Sequence, residues 1–215
     1  MSTFLPTLPV FLAYTAASVL LFMTPGPDMS LFLSRTISSG RGAGVASAMG
    51  ANTGCVVHTL LAAFGVSALI AASWTAFLVL KIVGAGYLLW LAVDAIRHGS
   101  SLNVATQVKA ERSLGRSYLM GLAVNLTNPK VVLFFITFLP QFISAGDPNV
   151  HGKLLFLGLW FVVLNIPLSV LTVWVAEKLV GWLKARRHIL RGIDYTFAGV
   201  FALFALKIAF TEGRS

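Results

Sequence analysis

The length of its uncharged stretches constrains this chain more than any other feature of the sequence. Residues 42–73 and 154–176 contain no Asp, Glu, Lys or Arg. About 20 predominantly apolar residues suffice to cross a bilayer as a helix. Charged residues make up only 11% of the chain, whereas a soluble domain usually carries about 25%. That leaves too little polar surface to cover a soluble fold, so we predict an all-α membrane protein.

Six candidate transmembrane helices can be placed on these grounds. The third contains Lys81, the fourth contains Lys130, and the sixth has Asp194 and Lys207 near its two ends. The six predicted spans are residues 4–23, 42–73, 74–93, 117–143, 154–176 and 192–210. Because the first Lys or Arg is Arg35, the start of the chain lacks the positive segment of a cleavable signal peptide, and we expect the first span to be retained.

The basic residues predict an orientation. Eleven Lys and Arg residues follow spans one, three and five, among them Arg35 and Arg41, whereas the opposite loops hold Lys153 and Arg214. The positive-inside rule then places the first set in the cytoplasm and both termini outside. The net charge of +9 is explained by these loops, and we predict no nucleic-acid partner.

The polar segment 98–115 divides the chain, which we predict to be a single transmembrane domain (1–215), into two halves, 1–97 and 116–215. Each half carries a similar motif near its first span, PDMSLF at 27–32 and PKVVLF at 129–134. A unit of three spans starts and ends on opposite sides of the membrane, so a second copy must run inverted. Inverted repeats with broken helices near the bilayer midplane are typical of transporters. We therefore predict two inverted three-helix repeats.

Helices one and four are predicted to be broken. Proline lacks an N–H and clashes with the preceding turn, and a glycine between two prolines allows unusual backbone dihedrals. The freed backbone groups cannot face lipid and need protein or a water-filled cavity. Ordinary proline kinks are the alternative. The residues that carry this hypothesis are Pro25, Gly26, Pro27, Asn125, Asn128 and Pro129.

Three charges lie within or beside the predicted spans: Asp28, Lys81 and Lys130. A charge at the centre of a span is costly and usually faces a cavity or a partner. We predict that Asp28 pairs with Lys130 across the repeat, while Lys81 attracts a substrate carboxylate and Asp28 meets a substrate ammonium or a proton. The alternatives are a helix cap for Asp28, an interfacial position for Lys81 and a structural ion pair for Lys130.

Small residues recur every four positions in the second span, at Ala46, Gly50 and Gly54, followed by His58. This spacing lets helices approach closely, either within the chain or between copies in a homo-oligomer. Histidine is the side chain that titrates nearest neutral pH, and His58 either relays protons or makes a buried packing hydrogen bond. The single cysteine, Cys55, cannot form a disulfide within the chain, and we predict no metal site and no cofactor.

Several segments resemble the LysE family of amino-acid exporters, and more specifically its RhtB branch of homoserine/threonine efflux proteins. They occur in the expected order, and the proline-rich break together with Asn-Pro-Lys is the most specific part. The segments are TPGPD (24–28), GANTGCVVH (50–58), KIVGAGYLLWLA (81–92), NLTNPKVVLFF (125–135) and GVFALFALKIA (199–209). The resemblance implies proton-driven efflux of amino acids or close derivatives across the bacterial inner membrane by a multi-pass protein.

The sequence therefore favours a proton-coupled amino-acid exporter that is not an enzyme. A passive channel or a membrane scaffold is the alternative, and an intramembrane enzyme is a further one. The sequence does not support an intramembrane enzyme, because it contains no His-Glu-x-x-His or Gly-x-Ser-x-Gly motif. The sequence does not identify the exported amino acid, since selectivity depends on the shape of the cavity.

Overall fold

The computed structural model describes residues 5–98, 113–143 and 147–176, together with isolated positions between 178 and 203. These residues form an almost entirely helical structure, which agrees with the predicted all-α class. The helices are α1 (Leu8–Met23), α2 (Pro27–Ser39), α3 (Arg41–Leu61), α4 (Ser67–Ala72), α5 (Trp74–His98), α6 (Leu114–Thr127), α7 (Pro129–Leu133) and α8 (Val150–Trp174). A π-helical turn (Ala62–Val66) joins α3 to α4, and α7 continues through a π turn (Phe134–Phe138) and a 3₁₀ turn (Leu139–Phe142).

The two predicted helix breaks are confirmed. α1 and α2 meet at an angle of 51° across Thr24, Pro25 and Gly26, and α6 meets the segment Pro129–Phe142 at 54° across Asn128. In both cases a proline is the first residue of the second helix, where its missing N–H costs nothing. The starts of α2 and α7 are therefore equivalent. Pro27 and Asp28 begin α2 as Pro129 and Lys130 begin α7.

Two of the described helices are long and apolar enough to cross a membrane, Arg41–Leu69 and Val150–Trp174. The number rises to four if each bent pair forms one span. The predicted sixth span (192–210) and the segment 98–115 fall largely outside the described residues. The six-span count, the inverted repeat and the orientation therefore stay predictions.

α3 lies at the centre of the packing, against α2, α6 and α8. Its crossing with α6 is exceptionally close. A Cβ at Gly50 would overlap the carbonyl of Tyr118, and a Cβ at Gly121 would overlap the carbonyl of Ser47. Since these neighbours are backbone atoms, both positions require glycine. Gly50 therefore serves a seam within the chain.

Aromatic rings fill the core between α1, α7 and α8. Phe134, Phe135 and Phe138 are completely buried, and the ring of Phe134 lies 4.8 Å from that of Phe161. Tyr14 is also completely buried, and its hydroxyl donates to the carbonyl of Leu157 at 3.0 Å. These contacts anchor the second half of the broken fourth helix against α1 and α8.

Two expectations need correction. Gly26 has φ −163° and ψ −171°, an extended backbone open to any residue, so backbone strain does not explain the glycine there. Arg35, which the orientation argument counted as a loop cation, lies within α2 with only 4% of its surface exposed. The turn that follows α2 is made by Gly40, whose φ of 88° lies in the region that favours glycine.

Candidate functional site

A cavity lies where the two helix breaks meet. The space open to water-sized molecules is about 50 Å³, enough for a few waters at about 10–15 Å³ each. Its apolar lining includes Phe22, Phe32 and Phe161. Its polar lining is contributed by both breaks and by α2, α3 and α8. The polar side chains that line it are Thr24, Asp28, Asn52, Asn125, Asn128, Lys130, Asn165 and Ser169.

Asp28 enters the cavity from the first turn of α2. Its Oδ2 accepts a hydrogen bond of 2.7 Å from Nδ2 of Asn125. This bond joins the first break to the last turn of α6, which leads into the second break. Its Oδ1 is buried and has no hydrogen-bond partner among the described residues. A buried carboxylate oxygen in that state is costly, and a cation or a proton brought to it would be strongly favoured.

Lys130 faces the same cavity from the first turn of α7. Its Nζ donates to the carbonyl oxygens of Leu21 at 2.9 Å and Thr24 at 2.6 Å. In an unbroken helix the Leu21 carbonyl would accept from the residue four positions later, which is Pro25 and has no N–H. The ammonium therefore satisfies a carbonyl that the proline orphans, at the helix end where the dipole favours a cation.

The second break repeats this arrangement with a different side chain. The residue four positions after Asn125 is Pro129, so the Asn125 carbonyl also loses its helical donor. It accepts instead from the N–H of Asn128 at 3.1 Å, and Nε2 of His58 lies 3.4 Å away. In the tautomer protonated at Nε2, His58 donates to this carbonyl. Each proline break is thus capped by a basic side chain from elsewhere in the chain.

Gly26 and Asn128 complete the two breaks. A Cβ at Gly26 would lie 3.5 Å from Nζ of Lys130, an ordinary contact distance, so Gly26 adjoins the ammonium from the first break. The side chain of Asn128 accepts from the N–H of Lys130 at 3.1 Å and caps α7 as an N-cap asparagine does. Contacts within and between the two breaks therefore hold these polar groups in position around the cavity.

A family model described as LysE type translocator matches residues 19–212. The chain belongs to the LysE type translocator family. The match covers both breaks and the whole cavity, and it confirms the family resemblance of the sequence motifs.

Curated relatives of this LysE type translocator align over nearly its whole length. It is 30% identical over 197 residues to the homoserine/homoserine lactone efflux protein of Salmonella typhimurium, covering 92% of this chain and 94% of that protein. It is 30% identical over 205 residues to the leucine efflux protein of Klebsiella pneumoniae, covering 93% and 94%. An uncharacterized membrane protein of Pseudomonas aeruginosa is 30% identical over 219 residues, covering 95% and 98%. No solved structure matches the chain significantly.

The structure of this LysE type translocator brings most of the predicted site residues together. Asp28, Lys130, Asn125, Asn128 and Gly26 line one cavity. Asn125 donates to Asp28, and Lys130 donates to the carbonyls of Leu21 and Thr24. The amide of Asn128 and the charge of Lys130 also act on Asp28. Lys81 lies on α5, and its side chain falls outside the described residues. Its predicted role stays a prediction.

Sequence reasoning missed Asn52 and Ser169. Nδ2 of Asn52 donates to the Ala48 carbonyl at 2.8 Å and to Oγ of Ser169 at 3.2 Å. Its Oδ1 is buried without a partner in the part of the chain that the structure describes. The signal was available, because Ala48, Asn52 and Cys55 follow the spacing of one helix face. Asn165 also lines the cavity, from α8, which continues past Pro167.

His58 is predicted to act through packing. It is 6% exposed, is stacked on Phe135 with ring centroids 5.7 Å apart, and contacts the Asn125 carbonyl. We expect His58→Gln, which retains a donor, to keep gradient-driven transport within about twofold. We expect His58→Leu to lower stability by about 0.5–1.5 kcal/mol, because the Asn125 carbonyl then keeps only the N–H of Asn128. Transport and unfolding temperature of both variants check this. Loss of gradient dependence in a stably folded His58→Gln variant would instead identify a proton relay.

Proposed function

We propose that this protein exports amino acids or close derivatives by exchange for protons, across the bacterial inner membrane in which it is a multi-pass protein. The observation that carries the proposal is the composition of the cavity. It holds one carboxylate and one ammonium, from Asp28 and Lys130, and two buried acceptor oxygens, Asp28 Oδ1 and Asn52 Oδ1, with no partner among the described residues. A zwitterionic amino acid carries both complementary charges.

The polar groups suggest where each end of the substrate binds. The substrate ammonium, with three donors, would reach Asp28 Oδ1 and Asn52 Oδ1. The carboxylate would lie toward Lys130, beside Gly26, and Lys81 would attract it along the pathway. Gly26, which lines the cavity, would adjoin the main-chain atoms, whereas the backbone groups of Asn128 are already hydrogen-bonded within the protein. Charge-assisted hydrogen bonds of this kind are about twice as strong as neutral ones.

Asp28 would also couple export to the proton gradient. Its carboxylate is stabilised either by the substrate ammonium or by a proton, but the two cannot occupy the same oxygen at once. Binding of one therefore releases the other, which is the requirement for antiport. The two breaks allow the halves of helices one and four to tilt separately, as alternating access needs. The names of the two efflux relatives support this direction of transport.

Inside-out membrane vesicles provide the test, since the predicted cytoplasmic face points outward and uptake measures export. Vesicles with an acidic lumen are given radiolabelled homoserine, threonine, leucine, lysine or arginine in turn. We expect gradient-dependent uptake of at least one amino acid that stops when an ionophore collapses the gradient. Uptake that ignores the gradient would favour the passive channel, and the absence of uptake by stably inserted protein would favour a scaffold.

Cys55 offers an independent probe of the substrate position. It lines the cavity with 4% of its surface exposed, and it is the single cysteine of the chain. We expect a transported amino acid at saturating concentration to slow alkylation of Cys55 by N-ethylmaleimide at least about threefold, because ligand and reagent compete for one space. A Cys55→Ala variant gives the background. Equal rates with and without a transported substrate would place the substrate elsewhere.

A further inference from the structure

Arg35 is a buried cation outside the cavity. It lies on α2, and 4% of its surface is exposed. Its Nη2 contacts the thioether sulfur of Met120 at 2.8 Å, and its Nε is buried with no hydrogen-bond partner among the residues described. No carboxylate of the described ranges lies within salt-bridge distance of it. A guanidinium in this state is unfavourable and has a high affinity for an anion.

A second buried donor, the hydroxyl of Ser117, lies on α6, the helix that carries Met120. Ser117 is completely buried, and its Oγ lacks a hydrogen-bond partner in the described part of the structure. Ser117 precedes Met120 by three residues on α6, so the two occupy the same face of that helix. Two buried donors therefore adjoin Met120: the guanidinium of Arg35 contacts its sulfur, and the hydroxyl of Ser117 lies one helical turn earlier on α6.

Arg35 also shares a helix face with the cavity. Asp28, Phe32 and Arg35 follow one another at spacings of four and three residues on α2, and the whole interval rises about 10 Å along the helix. Phe32 lines the cavity and is 4% exposed, packed against Ala48, Ala51 and Val173. Its ring thus lies between the guanidinium and the carboxylate of Asp28.

This end of the molecule is the one predicted to face the cytoplasm. α2 ends and α3 begins here, with Arg41 stacked over Trp174 at 5.0 Å, and α6 begins nearby with Arg116 in its first turn. An exported molecule enters from this side. A guanidinium presents paired N–H donors that match the two oxygens of a carboxylate.

We infer that Arg35, with Ser117, forms a loading site for the carboxylate of the exported amino acid, from which the substrate passes Phe32 into the cavity. The inference rests on the proposed export function. It adds to the anion site at Lys130 a second one, about two helical turns along α2 from Asp28, and it assigns Arg35 to substrate capture and not to proton coupling.

The test compares a substrate that has a carboxylate with one that lacks it. In inside-out vesicles, Arg35→Gln is expected to raise the half-saturation concentration (KM) for homoserine about tenfold with little change in maximal rate, while that for homoserine lactone stays within twofold. Arg35→Lys should recover part of the loss. Arg41→Gln, which removes an exposed cation from the same end of the molecule, should change neither value. Equal effects on both substrates, or none on homoserine, would overturn the inference.

Two further measurements distinguish a substrate carboxylate from a lipid phosphate, and binding from export. Vesicles are reconstituted in phosphatidylcholine alone and with phosphatidylglycerol. A defect of Arg35→Gln that appears only with phosphatidylglycerol would show that the anion is a lipid phosphate and overturn the assignment.

In detergent, homoserine should raise the unfolding temperature of the wild type more than that of Arg35→Gln. This binding measurement does not depend on export. A wild type that binds homoserine through Arg35 without exporting it would contradict the proposed function alone, and equal shifts would contradict the loading site.

Discussion

We expect Asp28→Asn to reduce proton-driven amino-acid export by about 100-fold while the protein still folds. The variant keeps the size of the side chain and leaves an oxygen to accept from Asn125, whose Nδ2 lies 2.7 Å from Oδ2 of Asp28. It removes the negative charge that a substrate ammonium or a proton would neutralise. Hydrogen bonds to charged groups contribute about 1.5–3 kcal/mol, and loss of coupling adds to that loss of binding. Uptake into acid-loaded inside-out vesicles measures the effect.

Asp147→Asn is the matched control, because it removes the same charge outside the cavity. Asp147 precedes α8, where it pairs with Lys153 and accepts from the N–H of Asn149 at 3.0 Å. Burial opposes ionisation of Asp147, but these two contacts outweigh it and hold its pKa below the usual range. We expect the control to transport normally. Undiminished gradient-driven export by a folded Asp28→Asn variant would remove Asp28 from the mechanism.

An assay of substrate exchange without a proton gradient distinguishes the two proposed roles of Asp28, which are binding of the substrate ammonium and binding of the proton. If the carboxylate binds both the ammonium and the proton, Asp28→Asn loses exchange as well as gradient-driven export. If it carries only the proton, exchange of labelled for unlabelled amino acid continues at near the wild-type rate. The proposed mechanism predicts loss of both, since Asp28 Oδ1 lines the space where the substrate would bind.

The helix breaks were predictable because their cause is local. A proline removes its own N–H and orphans the carbonyl four residues earlier whatever surrounds it, so Pro25 and Pro129 locate both breaks from the sequence alone. The composition similarly predicts helices in a bilayer. The small residues at Gly50 and Gly54 indicated a close helix contact, although their spacing did not reveal that α6 is the neighbour.

The partners of the charged groups were not predictable in the same way. Asp28 and Lys130 were expected to pair, and the charge of Lys130 does act on Asp28, but the sequence did not indicate their hydrogen-bond partners. Lysine has a long flexible stem and reaches the carbonyls of Leu21 and Thr24, while Asn125 reaches Asp28. Which contact forms depends on how the two bent helices are placed, at a scale of about 3 Å that spacing along the chain does not determine.

Buried polar residues on unbroken helices were harder still to recognise. Asn52 is one polar residue within a long apolar stretch. Whether its side chain lines the cavity depends on the rotation of α3 relative to α8. Arg35 was assigned to a loop because basic residues flank spans in most membrane proteins. Only the position of Gly40, which ends α2 beyond it, places the arginine inside the protein.

Gly121→Ala is expected to destabilise the protein strongly. Its Cβ would overlap the carbonyl group of Ser47 on α3, and because the obstacle is backbone, relief requires the two helices to separate. Overpacking in a tight core costs about 1–3 kcal/mol and sometimes more, and separation of α3 from α6 would also disturb contacts around Asn125. We expect the unfolding temperature to fall by at least about 5–10 °C and export to be lost. Thermal unfolding in detergent measures the first effect.

Gly86→Ala is the matched control for this glycine. It lies on α5, where an added Cβ meets nothing within 4 Å, and alanine favours a helix by about 1 kcal/mol over glycine. The control should therefore be as stable as the wild type or slightly more so. Because Gly50 approaches Tyr118 on the same crossing, Gly50→Ala should reproduce the loss seen with Gly121→Ala. A Gly121→Ala protein with wild-type stability and transport would mean that α3 and α6 do not cross this closely in the membrane, and the placement of Asn52 and Asn125 around one cavity would fail with that crossing.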